Sequence, residues 1–306
     1  MEDANDDVAP DASLVARLLR EQFPELAGKD VQPSRASGSS NWVFRVGDEH
    51  AVRLPRSDAY VDDLLKEAEF LPLLAPHLST PVPDVRFMAE RSSLFPRPWT
   101  VVSWVPGETP EQLDPAAQAR AALGLGRFVG RLHAADTWEL PAGAARWGYR
   151  AGEPVTDVID GWATSAAREL KDLFDPRRVA EAWRRIRDVP PAPGPACWVH
   201  TDLSAENLLT SAEGELVGVV DFGGLGIGDP AVDLLYAWSL FDAPAREVLR
   251  TESGADEATW LRARAWAFVG PGLLTLADYR DSMPARTARL TTMVEAVADE
   301  VGVALR

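Results

Sequence analysis

The chain has 306 residues, with 31 basic and 47 acidic side chains and a formal net charge of −16. That balance disfavours nucleic acid and anionic membrane as partners, both of which need a basic footprint, and it favours encounter with a cationic small molecule. Apolar residues make up 46% and charged residues 25%, no apolar run reaches the roughly 18 residues of a membrane span, and the acidic start MEDANDDVAP has no secretory pattern. Cys197 is the one cysteine; intramolecular disulfides are therefore excluded, and the reading is a cytoplasmic globular protein of about two domains, monomer or homodimer. His50, His77, His133 and His200 are scattered and cannot complete a zinc cluster with a single cysteine. Only Lys29, Lys66 and Lys171 are lysines, so a site that needs a cation must draw mainly on arginine.

Residues 1–10 read as a disordered tail. SLVARLLREQF, from Ser13, carries a helical apolar stripe with the serine available as cap, and Pro24 ends it. Residues 33–40, PSRASGSS, are a small-residue loop. Trp42–Val46 and His50–Leu54 alternate as strands around the turn Gly47-Asp48-Glu49, a hairpin. Residues 60–75 carry Leu64, Leu65, Ala68, Leu71 and Leu74 at helical spacing, with Pro72 a predicted kink. PVPDVRFM and RPWTVVSWV read as strands, and PGETP at 106–110 marks a domain boundary. Beyond it lie a helix over Gln118–Ala135, helical stretches between 157 and 187, a rigid link VPPAPGP at 189–195, short strands at 197–199, 207–209 and 215–221, and an almost wholly helical stretch over 231–302. The order is a small strand-rich half followed by a larger helical half.

The chemistry concentrates in WVHTDLSAENLLTSAEGELVGVVDFGGLGIGDPAVD, residues 198–233. His200-x-Asp202 is followed five residues later by Asn207, and Asp221-Phe222-Gly223 closes an apolar strand. Phosphoryl transfer from a nucleotide needs these groups in this order: one carboxylate to orient the acceptor hydroxyl and take its proton, then an amide oxygen and a second carboxylate to hold magnesium. The spacing matches the protein-kinase catalytic set. Read singly, each has a plainer role: His200 as a core histidine, Asp202 and Asn207 as turn residues, Asp221 as a strand-end cap. GGLGIG at 223–228 lacks the spacing of a dinucleotide loop and runs into Asp229-Pro230 instead of a helix.

HTDLSAENLL and GVVDFGGLGIGDPAVDL together resemble the aminoglycoside phosphotransferase family of antibiotic kinases. NWVFRVGDEHAVRLPR, KEAEFLPLLA and PVP in the first half look most like its macrolide-kinase branch. The likeness covers roughly residues 33–240. It implies an α+β, bilobal, protein-kinase-like fold: a small antiparallel-sheet N-terminal lobe over 1–105 with one helix across it, and a larger, mostly helical C-terminal lobe over 106–306. It implies Mg2+ and ATP or GTP as phosphoryl donor. Asp202 takes the place of the catalytic base, and Asn207 and Asp221 those of the magnesium ligands. Arg53 stands where many members place a phosphate-binding lysine, and Glu67 where they place its carboxylate partner, with Glu69 as the competing choice. Ser37, Gly38, Ser39 and Ser40 are expected to fold over the phosphates, and Ser103 and Val105 to offer backbone groups to the purine. Asp229 and Asp233 are expected to brace the catalytic loop, with helix capping as their plainer role.

Two departures bear on the acceptor. Thr201 replaces the family's usual glycine, and a β-branched residue there disfavours a positive φ, so a differently shaped loop is expected. Ser204 replaces a histidine and removes a bulky neighbour. The acceptor implied is an antibiotic hydroxyl, on a macrolide or another glycosylated or nucleoside antibiotic ahead of an aminoglycoside. A metabolic small-alcohol kinase and a non-catalytic ligand-binding relative remain the alternatives. Trp238, Phe241, Trp260, Trp266, Phe268 and Tyr279 lie at helical spacings that suit a core better than a drug pocket.

Overall fold

A computed structural model describes residues 9–34, 40–111, 113–137, 157–192 and 197–306. Residues 1–8 of the tail expected over 1–10, the loop residues Ser37, Gly38 and Ser39, and part of the proline-rich link lie outside them. The chain divides into two compact units, Met1–Gly107 with Val217–Leu225, and Glu108–Leu216 with Gly226–Arg306.

In the first unit, α1 spans Ala12–Gln22 and buries Val15, Leu18 and Leu19. Its cap is Asp11, whose carboxylate accepts from Leu14 N at 2.7 Å, and Ser13 lies inside the helix. Aspartate at this place also sets a negative charge against the positive end of the helix dipole, which serine cannot do. The strands β1 (Val31–Pro33), β2 (Asn41–Val46), β3 (His50–Pro55), β4 (Val85–Ala89) and β5 (Trp99–Ser103) form one antiparallel sheet in the order β1-β2-β3-β5-β4. The β2–β3 hairpin pairs Trp42 with Leu54 and Val46 with His50, as its alternation predicts. Leu18, Leu19, Phe44, Val52, Leu54 and Trp99 share one apolar cluster, so α1 covers a sheet face that the sequence alone left uncovered. Val52 and Leu54 join that cluster, and by strand alternation Arg53 faces the other side. There lies α2, Val61–Leu74, which continues through Pro72. The missing proline N–H forfeits only one bond in the last turn, so the helix tolerates it. The short turn Phe222–Gly224 also packs on α2.

In the second unit, α3 (Pro115–His133) packs against α7 (Ala243–Ser253). The two helices approach so closely that a Cβ on Gly126 would lie 2.6 Å from Glu252 Cβ. Then come α4 (Asp157–Glu169), α5 (Pro176–Ile186) and β6 (Cys197–Val199). The strands β7 (Leu208–Thr210) and β8 (Leu216–Val219) follow the catalytic segment, with the last residues of β8 passing into the first unit. Gly226–Gly228 forms β9 and pairs antiparallel with β6, which is why GGLGIG is a strand instead of a nucleotide loop. The chain finishes in α6 (Ala237–Leu240), α7, α8 (Glu257–Ala267), a π-helical stretch over Phe268–Leu274, α9 (Thr275–Tyr279) and α10 (Pro284–Glu300). Trp238, Phe241, Trp260, Trp266 and Phe268 are core residues, whereas Tyr279 is exposed. No helix among the described residues is long and apolar enough to cross a membrane.

Candidate active site

The segment after β6 is held by one buried carboxylate. Asp233 is 2% exposed and accepts from His200 N at 2.9 Å and Thr201 N at 2.7 Å, both on Oδ1. His133 Nε2, from the end of α3, lies 2.9 Å from its Oδ2. Two adjacent amides and one distant imidazole therefore converge on Asp233, which braces this loop as expected. Asp229 does something else: it caps the turn beginning at Pro230 and takes a bidentate pair from Arg262 at 2.7 and 2.8 Å.

Thr201 sits at φ 76°, so the expectation that its branched side chain would keep the loop from a positive φ is overturned. A β-branched residue in this region costs on the order of 1–3 kcal/mol and persists only where the surroundings over-determine it. Asp233 fixes the amides of His200 and Thr201 just before that conformation, and His200 Nδ1 takes the Asp202 amide just after it. His200 is fully buried, and its Nδ1 accepts from Asp202 N at 3.3 Å. Its role is to shape the loop, as the plainer reading had it. Ser204 is 3% exposed and starts the short turn Ala205–Asn207, so the residue that replaces a histidine lies inside the unit.

Asn207 turns back onto Asp202. Its Nδ2 donates to the Asp202 carbonyl and to Asp202 Oδ2, each at 2.8 Å. That fixes the carboxylate and leaves the amide oxygen of Asn207 without a partner among the described residues. Tyr236 and Arg286, neither of which the sequence reading singled out, stand beside Asp202. Burial, and then the nearby Asp202 carboxylate, push the Tyr236 hydroxyl well above its ordinary range, so it stays protonated. Burial alone would lower Arg286, but Tyr236, Asp202 and Glu206 outweigh it and hold its guanidinium charged. Arg289, one turn further along α10, pairs with Glu206. It also lines a cavity of about 180 Å3 with Leu113, Ala121, Leu208, Leu240 and Phe241. The i, i+3 spacing of the two arginines in PARTARL is the one sequence signal that could have brought them forward.

In the first unit, Arg53 is buried between two carboxylates. Nη1 pairs with Glu67, which is likewise buried, and Nη2 lies 2.7 Å from Asp221 Oδ1. Burial alone would lower its pKa, but Glu67 and Asp221 hold it far above the ordinary value. Glu67, not the exposed Glu69, is therefore the partner. Asp221 adopts φ 63°, ψ 70°, and its Oδ2 has no partner among the described residues. Ser103 Oγ accepts from Asp84 N at 2.9 Å, and Ser103 N donates to Asp84 O at 2.8 Å. Trp104 N donates to Glu49 O at 2.8 Å, whereas the Val105 N–H has no backbone acceptor among the described residues. Ser40, just before β2, accepts from Arg56 N at 2.9 Å on its carbonyl and from Asn41 Nδ2 at 3.2 Å on its Oγ.

The donor chemistry suits magnesium. An ionised carboxylate and an amide oxygen are hard ligands, and Mg2+ takes few protein ligands and keeps several waters. Among the described residues no three His, Cys, Asp or Glu side chains cluster as an all-protein metal cage.

A family model described as the phosphotransferase enzyme family matches residues 32–266. An aminoglycoside 3′-phosphotransferase of Escherichia coli is 31% identical over 193 residues, 60% of this chain and 66% of that protein. The chain thus spans somewhat under two thirds of that relative's length. Solved structures share the fold, among them the following two. The GDP complex of wild-type aminoglycoside 2′-phosphotransferase-IIIa aligns with a TM-score of 0.67 at 20% identity, over 95% of this chain and 100% of that one. The apoenzyme of a macrolide 2′-phosphotransferase from Brachybacterium faecium aligns with a TM-score of 0.61 at 21% identity, over 93% and 97%.

Proposed function

The chain belongs to the phosphotransferase enzyme family, and from that premise we propose that it transfers the terminal phosphoryl group of ATP or GTP to a hydroxyl of an antibiotic. The acceptor is a macrolide or another glycosylated or nucleoside antibiotic ahead of an aminoglycoside. The observation that carries the reading is the loop geometry around Asp202. Its carboxylate is fixed by Asn207 Nδ2 at 2.8 Å on a loop that Asp233 holds against the strain of Thr201.

In this reading Asp202 accepts the proton of the acceptor hydroxyl. The hydroxyl oxygen forms a bond to the terminal phosphorus while the bond to the bridging oxygen breaks, releasing the nucleoside diphosphate. Such a site works mainly by positioning and charge stabilisation. The Asn207 amide oxygen and the Asp221 carboxylate are the groups that would hold Mg2+, which when bound neutralises charge on the phosphates. Arg53 orients Asp221 and offers its remaining N–H groups to phosphate, for which guanidinium is well suited. The Val105 N–H is the donor for the purine edge. Of the loop residues expected at the phosphates, Ser40 is the described one, and Ser103 serves the hinge through its bonds to Asp84. The GDP bound by the aminoglycoside 2′-phosphotransferase supports the choice of a purine nucleotide.

A metabolic small-alcohol kinase is the second reading, and the polar neighbours of Asp202, namely Tyr236, Arg286 and Glu206, favour it. The test is a phosphorylation screen with purified protein, Mg2+ and ATP or GTP. The panel is macrolides, aminoglycosides, nucleoside antibiotics, choline and homoserine, read by mass spectrometry. Gain of one phosphoryl group on an antibiotic is the expected result. A phosphorylated metabolite with every antibiotic untouched establishes the second reading, and no product with nucleotide bound refutes both.

A further inference from the structure

The two oxygens of Asp221 differ in their surroundings within the first unit. Asp221 stands at the start of the turn Phe222–Gly224, with its backbone at φ 63°, ψ 70°. Its Oδ1 accepts from Arg53 Nη2 at 2.7 Å. The backbone of the turn runs alongside the same oxygen, since a Cβ on Gly223 would lie 3.6 Å from Oδ1. Oδ2 is the oxygen left to a ligand, on a side chain that is 32% exposed. Arg53 is not free to swing away from Oδ1. Its side chain is 8% exposed, and Nη1 pairs with Glu67, whose side chain is 3% exposed. Moving the guanidinium out would take the cation from a buried carboxylate, which is costly. The planar fork of an arginine can serve both carboxylates at once, one prong to each, whereas a lysine ammonium is a single point charge. Arg53 balances Glu67, so these three groups together keep one net negative charge, and the exposed carboxylate carries it.

We propose that Arg53 restricts Asp221 to one ligating oxygen, Oδ2, and thereby makes the site select a small divalent cation, Mg2+, over a larger one, Ca2+. Calcium gathers about six to eight oxygens and readily takes a carboxylate through both of its oxygens, whereas magnesium takes few protein oxygens and keeps several waters. A cation seated across both oxygens of Asp221 meets the guanidinium charge at close range and is repelled. A cation on Oδ2 alone avoids that repulsion and fills its shell with water. Arg53 is in this sense a positioning residue, acting on the metal through Asp221. The inference rests on the phosphotransferase reading for the place of the metal on Asp221. It adds a reason for arginine at a position where lysine would carry the same charge.

The readout is binding, measured apart from turnover. Calorimetry with the full chain follows the imido analogues of ATP and GTP, each saturated with Mg2+ or with Ca2+, and the ratio of the two affinities is the quantity compared. Any contact between Arg53 and phosphate is common to both ions and drops out of that ratio. The parent chain is expected to bind the Mg2+ form about tenfold or more tighter than the Ca2+ form. Arg53→Lys keeps the charge beside Glu67 but loses the second prong, and is expected to narrow the preference to about threefold or less. Arg53→Met combined with Glu67→Met removes the buried pair as a unit, leaves no stranded charge and is expected to narrow it as far. Circular dichroism establishes that each variant folds, and the double variant carries the test where the lysine variant does not. No preference in the parent overturns the proposal. A preference that either folded variant leaves unchanged also overturns it, because Arg53 then serves the phosphates or the fold without setting the metal. No binding of either analogue by the parent overturns the proposal and the phosphotransferase reading together. Selection lost in the variants, with no acceptor phosphorylated in the screen, leaves the proposal standing and refutes that reading; a phosphorylated acceptor with selection unchanged does the reverse.

Discussion

Asp233→Ala tests whether one buried carboxylate holds the catalytic loop. The substitution removes the acceptor of two backbone N–H groups, His200 at 2.9 Å and Thr201 at 2.7 Å, in a region with Asp233 only 2% exposed. A hydrogen bond to a charged acceptor contributes about 1.5–3 kcal/mol, and a buried donor left unmatched adds its desolvation. The two bonds together give about 3–6 kcal/mol. Release of Thr201 from φ 76° returns about 1–3 kcal/mol, since nothing then enforces that conformation. Taking like ends of the two ranges, the net expected loss is about 2–3 kcal/mol, a large share of a typical folding free energy. Asp233→Asn keeps Oδ1, which receives both amides, and forfeits mainly the charge, so its cost is about half as large. Urea unfolding followed by circular dichroism and tryptophan fluorescence measures both variants. A loss under about 0.5 kcal/mol in Asp233→Ala, or an Asn variant as damaged as the Ala variant, refutes the reasoning.

Three other substitutions or probes test separate parts of the structure. Glu67→Ala leaves buried Arg53 with only the half-exposed Asp221 and is expected to cost about 3 kcal/mol, whereas Glu69→Ala on the exposed side of the same helix costs under about 0.5 kcal/mol by the same urea assay; equal effects contradict the pairing. Gly214→Ala places a Cβ 2.4 Å from Ala117 Cβ at a φ of 83°, and a loss of about 3 kcal/mol is expected in thermal or urea unfolding; a neutral result means the Gly214–Ala117 approach is misplaced. The Cys197 thiol is pushed up to about 12 by burial, with Asp233 and Asp229 adding to it. Alkylation by iodoacetamide at pH 8 is therefore expected to run about three orders of magnitude slower than for an unstructured thiol, because the thiolate is the reactive form; fast labelling of the folded chain contradicts that burial.

Much of this was legible in the sequence, and what was not has identifiable causes. The β2–β3 hairpin, the helices and the aspartate–asparagine interval follow from local alternation, helical periodicity and spacing, which are properties of contiguous residues. Asp11 displaced Ser13 as the first cap because two good caps stood two residues apart and only the completed helix chooses between them. Thr201 was misjudged because its preference was weighed alone, while Asp233, far along the chain, sets the outcome. Glu67 and Glu69 differ by two residues, and the turn of α2 against Arg53 decides between them. Tyr236 and Arg286 were missed for a related reason: a tyrosine and an arginine on helical segments are ordinary until the fold sets them beside Asp202.

The central claim is that Asp202 takes the acceptor proton in a phosphoryl transfer. Steady-state phosphorylation of an acceptor found in the screen, by the parent chain and by Asp202→Asn, is paired with equilibrium binding of the Mg2+-nucleotide. The account predicts a fall in kcat of about 10²–10⁴-fold with nucleotide affinity within about twofold. Retained turnover in Asp202→Asn, or a parallel collapse of turnover and nucleotide binding, contradicts it.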